Sequence, residues 1–341
     1  MKQLPVILLF ALLAASCRTP QSPRTMQGET QGTYYSIIYY DSLNRDLQPQ
    51  TDSILQLMDC TVSLWNDNST IRLINSGRDS IVTPLFHDLL LKARTIRLYT
   101  DGAFDCRIGA LVNLYGFGFK KRDQINPAQI DTILSHLTPD AYLITDSSTH
   151  TPPSAYTLRR TTPIEFDFNA IAQGYTVDLL AQLYDTLGIQ SYLIDVGGEV
   201  IARGTKPDGS PWTVGIERPS ENKYSNREIE TAIALCNQSV VTSGNYRKYY
   251  EHDGVRYSHT LNPSTGQPVN HSLLSVSVIS RHSWYADAMA TAFMVMGLDQ
   301  SLQFIQQHPD NPDIQAVFFI YNDHGQYRTH ATQAFQSLII Q

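Results

Sequence analysis

The segment SWYADAMATAFMVMG, from Ser283 to Gly297, constrains the fold more than any other part of the chain. Ala, Met, Phe and Val dominate it, so it reads as a helix with at least one buried face. Asp287 lies inside that run, and Thr291 follows at the i, i+4 spacing that sets a hydroxyl beside a carboxylate on one helix face. An ionised carboxylate in apolar surroundings is costly unless it is paired or coordinates a metal. Taken alone, the stretch leaves three arrangements open: a metal at Asp287, an N-cap Asp with the helix beginning at Tyr285, or a carboxylate held by an Arg distant in sequence.

The rest of the chain has to choose between them. Its 341 residues suffice for one large core or two modest ones, and 42% hydrophobic with 17% charged residues is a globular composition. A net charge of −7 argues against a nucleic-acid partner, which needs a basic surface. No repeat recurs at a solenoid period.

The first residues carry a targeting signal. MKQLPVILLFALLAASC has a basic Lys2, an apolar run from Leu4 to Ala15 and then small residues, a secretory pattern too short to span a bilayer. Leu13-Ala14-Ala15-Ser16-Cys17 resembles a bacterial lipobox, so residues 1–16 are expected to be a signal peptide and Cys17 a lipidated terminus; simple cleavage after Ser16 is the alternative. RTPQSPRTMQGETQ follows, and residues 17–30 are expected to be a flexible tether. The expected location is the periplasmic side of a bacterial membrane, and no later segment reaches transmembrane length. Cys60, Cys106 and Cys236 are far apart and lack a CxxC spacing, which argues against zinc and leaves buried free thiols as the expectation.

Between these ends the pattern alternates. Strands are expected at Gly32–Tyr40, Tyr142–Ile144, Tyr156–Arg159, Ile164–Phe168, Trp212–Glu217, Glu230–Leu235, Ser239–Thr242 and Leu274–Ser280. Hairpins are expected around Gly197-Gly198, around Asp253-Gly254, and from Ala316–Tyr321 to Tyr327–Thr332. Helical periods run over Thr51–Leu64, Phe86–Leu98, Ala128–Leu137 and Asn169–Gly188, with Gly188 suited to a C-cap. TDGAFDCRIGALVNLYGFG, rich in Gly, reads as an irregular loop. Strands interrupted by a few helices indicate an α+β fold of largely antiparallel sheet with packed helices, and residues 31–341 read as a single compact unit.

Chemistry concentrates in four further stretches. TDGAFD places Asp101 and Asp105 beside Gly102. FDFNAIAQGYTVD places Asp167, Asn169 and Gln173 at an expected strand-to-helix junction, where free N–H groups suit phosphate. TSGNYRKYY and YSHTLNPSTGQPV add Ser243, Arg247, His259 and Asn262. Each also suits an ordinary turn. No Walker A, GxGxxG or GxSxG pattern is present.

In order, these stretches resemble the ApbE family of FAD:protein FMN transferases, often periplasmic lipoproteins. The resemblance runs from Gly32 to about Phe335. It rests on Gly32-Thr33, the Trp65 segment, TDGAFD…GALVNLYGFG, D-x-x-x-I-A-Q-G-Y-x-x-D, VGGE, TSGNYRKYY, SHTLNPSTGQP and ADAMATAFMVMG. It implies an ApbE-like (T-fold-like) catalytic unit that takes FAD as substrate with Mg2+, cleaves the pyrophosphate, passes FMN to a threonine hydroxyl of an acceptor protein and releases AMP. By the same analogy the metal is held by the Ala170 carbonyl, Asp287 and Thr291. Gln31, Trp65, Ala103, Phe104, Asp105, Asp167, Gln173 and Leu261 contact the flavin nucleotide. His259 takes the role of general base. For Trp65 the alternative is a half-buried core residue; for His259 it is a hydrogen bond to phosphate or to the Asn262 turn. The implied acceptor is an exported segment of a membrane redox complex.

Three positions depart from many relatives. Gln31 stands in place of Met, Gln173 in place of Lys and Asn262 in place of an acidic residue. The first two remove an apolar contact and a positive charge, and the third is expected to weaken the orientation of His259. Two other functions remain compatible with the sequence: an FAD pyrophosphatase giving FMN and AMP, and a non-catalytic FAD-binding lipoprotein.

Overall fold

The structure is a computed structural model that describes residues 22–118, 125–147, 154–219, 228–245, 249–252 and 255–340. The signal segment, Cys17, Arg247 and the Asp253-Gly254 turn lie outside the described residues. In chain order the elements are β1 (Arg24–Thr30), β2 (Thr33–Tyr40), α1 (Gln48–Val62), α2 (Thr70–Ser76), β3 (Ile81–Val82), α3 (Pro84–Tyr99), α4 (Gly109–Leu114), α5 (Pro127–Ser135), β4 (Tyr142–Asp146) and β5 (Tyr156–Arg160). There follow α6 (Ala172–Thr186), β6 (Ser191–Val196), β7 (Glu199–Arg203), β8 (Trp212–Glu217), β9 (Ile229–Leu235), β10 (Gln238–Gly244), β11 (Tyr249–His252) and β12 (Val255–Ser258). The chain closes with β13 (Leu273–Ser280), α7 (Ser283–Gln307), β14 (Ala316–Asp323), β15 (Gln326–Ala331) and α8 (Gln333–Gln336).

An eight-stranded antiparallel sheet in the order β1-β2-β6-β7-β10-β13-β14-β15 forms the frame. Its central strands are buried on both faces, and strand alternation divides their side chains between two cores. Val241, Val278, Val317 and Phe319 face a core shared with α3 and α7. Val240, Ile279, Phe318 and Ile320 face the opposite core, closed by the β8–β9 ribbon and Phe335 of α8. Near β2 and β6 a third cluster joins the sheet to α1 and α6 through Tyr39, Tyr184 and Tyr192. The fold is therefore α+β with antiparallel sheets and packed helices, as the sequence pattern indicates.

Five local outcomes differ from that pattern. The expected tether is a strand from Arg24 onward, paired with β2, because its alternation buries Met26 against the second strand's core. Ile164–Phe168 is extended but joins no sheet; one parallel bridge links Glu165 to Ile108, and Phe166 is held by the Asn75 side chain at both N–H and C=O, each at 2.8 Å. Within the expected glycine-rich loop, GALVNL forms α4 and buries Leu111. Helix α7 does not stop at Gly297: that residue takes φ 77° and ψ 177°, and the helix resumes to Gln307. Of the three cysteines, only Cys106 is a buried thiol; Cys60 and Cys236 are exposed.

Helix α7 carries the residue that the sequence singles out. Ala288, Met289, Ala292, Phe293 and Met294 are all essentially inaccessible. Burying side chains the size of Phe or Met contributes about 1.5–3 kcal/mol each, enough in sum for the helix to tolerate one desolvated carboxylate.

Candidate active site at the start of helices α6 and α7

Asp287 is 4% exposed and sits one full turn inside α7, whose N-cap is His282, so the N-cap arrangement is excluded. Its Oδ2 accepts the Gly174 N–H at 3.0 Å, and among the described residues no cation pairs with it. The Arg arrangement is therefore absent from the described part of the chain. Burial pushes its carboxyl up to about 7; the Gly174 N–H opposes that rise and the nearby Asp178 carboxylate adds to it.

Gly174 is the third residue of α6, whose N-cap is Ile171, so its N–H is a first-turn donor with no acceptor in its own helix. Asp287 supplies that acceptor, and among the described residues no donor reaches the carbonyl of Ala170, which precedes the N-cap. Gly174 also lets the two helices approach: a Cβ there would stand 2.4 Å from the Ser283 carbonyl oxygen and 2.8 Å from the Asp287 Cβ. One turn further along α7, the Thr291 hydroxyl lies 3.3 Å from that of Ser243 at the end of β10.

This donor set is a carboxylate, a main-chain carbonyl and a hydroxyl, all hard oxygens. It fits a magnesium ion, which takes few protein ligands and completes its shell with water and phosphate oxygens. Among the described residues no group of three or more His, Cys, Asp or Glu side chains converges on a metal position, and a set with one carboxylate does not need such a group.

Around α6 the structure gathers most of the residues inferred to contact nucleotide. Gln31 occupies the β1–β2 turn at φ 50°, an uncommon conformation for a non-glycine residue, and its amide donates to the Thr176 hydroxyl at 2.7 Å. Gln173 reaches the Gly197 turn, where a Cβ would stand 2.7 Å from its Nε2. Asp167, 8% exposed, accepts the Asn169 N–H at 2.8 Å, and burial pushes its carboxyl up to about 6 despite that bond. The Asp167 N–H donates to the Cys106 carbonyl at 2.7 Å, which brings the Ala103-Phe104-Asp105 loop alongside.

Two members of that loop present backbone rather than side chain. Phe104 is 3% exposed and packs in the main core. The Asp105 carboxylate is occupied by Arg107, with contacts of 2.6 to 3.1 Å, and the same guanidinium donates to the Thr138 carbonyl at 2.6 Å. The pair is 4–5% exposed in its side chains and pins the loop rather than offering a free charge.

His259 and Leu261 lie on the segment after β12. Leu261 packs with Leu111, Tyr115 and Ile130, and His259 meets the ring of Phe117 edge-on at 6.3 Å. A short relay joins this segment to α7: the Thr260 hydroxyl donates to Asn245, two residues beyond Ser243, which faces Thr291. Asn262 does not orient His259 in the way its place in the sequence suggests. Its Oδ1 accepts the N–H groups of Ser264 and Thr265, so an amide serves this turn as well as a carboxylate does. Trp65 is 66% exposed in the turn between α1 and α2, which excludes the core reading; no described contact joins it to the rest of the site.

Asn75, Arg107, Asp178 and Ser243 act on these groups yet carry no local motif that marks them, apart from the TSG context of Ser243 and the place of Asp178 at the end of D-x-x-x-I-A-Q-G-Y-x-x-D.

A profile of the ApbE family matches residues 31–318. The chain belongs to the ApbE family. The FAD:protein FMN transferase of Vibrio cholerae serotype O1 is 30% identical over 348 residues, which cover 98% of each chain. That of Klebsiella pneumoniae is 31% identical over 343 residues, covering 95% of this chain and 93% of the relative. The apo crystal structure of the Pseudomonas stutzeri flavinyl transferase ApbE matches with a TM-score of 0.79 at 31% identity, over 94% of this chain and 98% of that one. The residues matched by the ApbE family run from the β1–β2 turn into β14 and include α6 and α7.

Proposed function

We propose that this chain transfers FMN from FAD to a threonine hydroxyl of an acceptor protein and releases AMP, with Mg2+ at Ala170, Asp287 and Thr291. The observation that carries the proposal is a buried Asp287 carboxylate that no described cation pairs with, held by the first turn of α6 through the Gly174 N–H, just after an Ala170 carbonyl that no described donor reaches. Naming of the relatives as FAD:protein FMN transferases supports the substrate. When bound there, magnesium supplies positive charge against the pyrophosphate oxygens.

The remaining work falls to side chains of this chain. Gln31, Gln173, Asp167 and the Ala103–Asp105 backbone hold the nucleotide, and Trp65 offers an exposed ring face for stacking. The acceptor Oγ bonds to the FMN phosphorus as the P–O bond to AMP breaks, and His259 takes the hydroxyl proton. Leu261 closes the apolar wall beside it.

The acceptor proposed is an exported segment of a membrane redox complex, and the enzyme meets it from a lipid anchor at Cys17 on the periplasmic face. The first described strand begins at Arg24, which leaves a link of a few residues between anchor and fold.

Incubation with FAD, Mg2+ and an acceptor domain, followed by intact-mass measurement, tests the reaction. FMN bound covalently to the acceptor with matching AMP is the expected result. Free FMN and AMP without adduct would make the protein a pyrophosphatase, and persistence of intact FAD would make it a binding protein.

A further inference from the structure

The two helices that carry the proposed cation ligands exchange hydrogen bonds in both directions. Helix α6 gives the Gly174 N–H to the Asp287 carboxylate of α7 at 3.0 Å. One turn along α6, the Asp178 carboxylate takes the N–H groups of Ser283 and Trp284, the first two residues of α7, at 3.0 and 2.9 Å. Both Asp178 oxygens are used, and no residue of α7 caps its own helix: the N-cap His282 makes no side-chain cap bond. The cap comes from another element. A carboxylate at that position also meets the positive end of the α7 dipole.

The consequence is geometric. Asp287 and Thr291 stand one and two turns from the residues Asp178 holds, on a helix whose start is pressed against Gly174. From below, the Ser283 hydroxyl bonds that of Ser239 at 2.7 Å, and Ser239 donates to the Val200 carbonyl at 2.8 Å, so the sheet fixes height while Asp178 fixes rotation toward α6. We propose that Asp178 is a positioning residue that sets the Asp287 carboxylate and the Thr291 hydroxyl toward the Ala170 carbonyl and thereby tunes the cation affinity of the site. This rests on the cation reading given under Proposed function.

Groups that orient metal ligands without touching the metal typically contribute one to two orders of magnitude in affinity, so Asp178→Asn should weaken binding of magnesium alone about tenfold, and Asp178→Ala more. The test is calorimetric titration of Mg2+ into nucleotide-free protein, with melting temperature measured in chelator on the same samples. Asn keeps one acceptor for the helix start and guards against loss of fold. Ser239→Ala is the comparison: it loosens the same helix end from the sheet side, and should lower the melting temperature while leaving Mg2+ affinity unchanged. If Asp178→Asn binds Mg2+ as the wild type does, the positioning role is overturned and only a structural cap remains. If the wild type itself takes up no Mg2+, the cation reading falls and this proposal falls with it.

Discussion

The backbone amide of Gly174, a first-turn donor of α6 with no acceptor in its own helix, donates to the Asp287 carboxylate across the α6–α7 contact at 3.0 Å. One hydrogen bond thus does two things: it partly satisfies a buried carboxylate and it gives a helix-start N–H its acceptor. Satisfying the carboxylate is incomplete, since burial still raises its pKa to about 7.

That contact depends on a residue without a side chain. Gly174→Ala should destabilise the fold by about 1–3 kcal/mol, the usual cost of forcing a methyl into a packed interior. The Cβ would press on the Ser283 carbonyl and on Asp287 itself, so flavin transfer per folded molecule should fall as well. Melting temperature and transfer rate on one preparation measure both; a variant with wild-type values for each contradicts the close-contact account.

How much of this could be read from the sequence varies with the type of signal. Helix α7 is legible because an apolar run of that length has few other uses, and Asp287 is conspicuous inside it. β1 was hidden because an edge strand with one buried residue, Met26, looks like polar tether. The expected strand at Ile164–Phe168 has the right alternation for a different reason: Phe166 and Phe168 meet Phe86 of α3 edge to face, and side chains and loops rather than a neighbouring strand bind its backbone. Arg107 is invisible as a local pattern and Asp178 is marked only as the end of a motif, because each acts on backbone groups far away in the chain. Asp105 shows the converse, since its sequence context does not reveal that Arg107 already holds its carboxylate.

Asp167 should leave a signature in the pH dependence of stability. Its carboxyl is raised from 3.8 to about 6 by burial. In the folded state the neutral form is therefore favoured, and the cost of burying the charge grows as pH rises from about 4 to about 6, then stays constant. Asp167→Asn removes that cost and keeps an acceptor for the Asn169 N–H. The melting temperature of the variant relative to wild type should rise across that window and level off above it. A difference that is flat with pH would show that Asp167 is not desolvated as described.

The proposed anchor at Cys17 has a separate test. Cys17→Ser should move the exported protein from the membrane fraction to the soluble fraction of the periplasm without changing flavin transfer in solution. Wild-type protein that is itself fully soluble after export would rule out lipidation.

The most direct measurement is magnesium-dependent FMN transfer by Asp287→Ala, read together with its melting temperature. Loss of the carboxylate removes the charge that offsets dehydration of the ion, so transfer should fall to background at any attainable Mg2+ concentration. The fold should survive, because Ala favours a helix more than Asp does. Without metal, the variant should melt at or above the wild-type temperature, since a desolvated carboxylate has been removed. Thr291→Val should lose less, because water can replace a neutral hydroxyl. An Asp287→Ala protein that melts lower yet transfers FMN at the wild-type rate, with the wild-type dependence on Mg2+, would contradict the account.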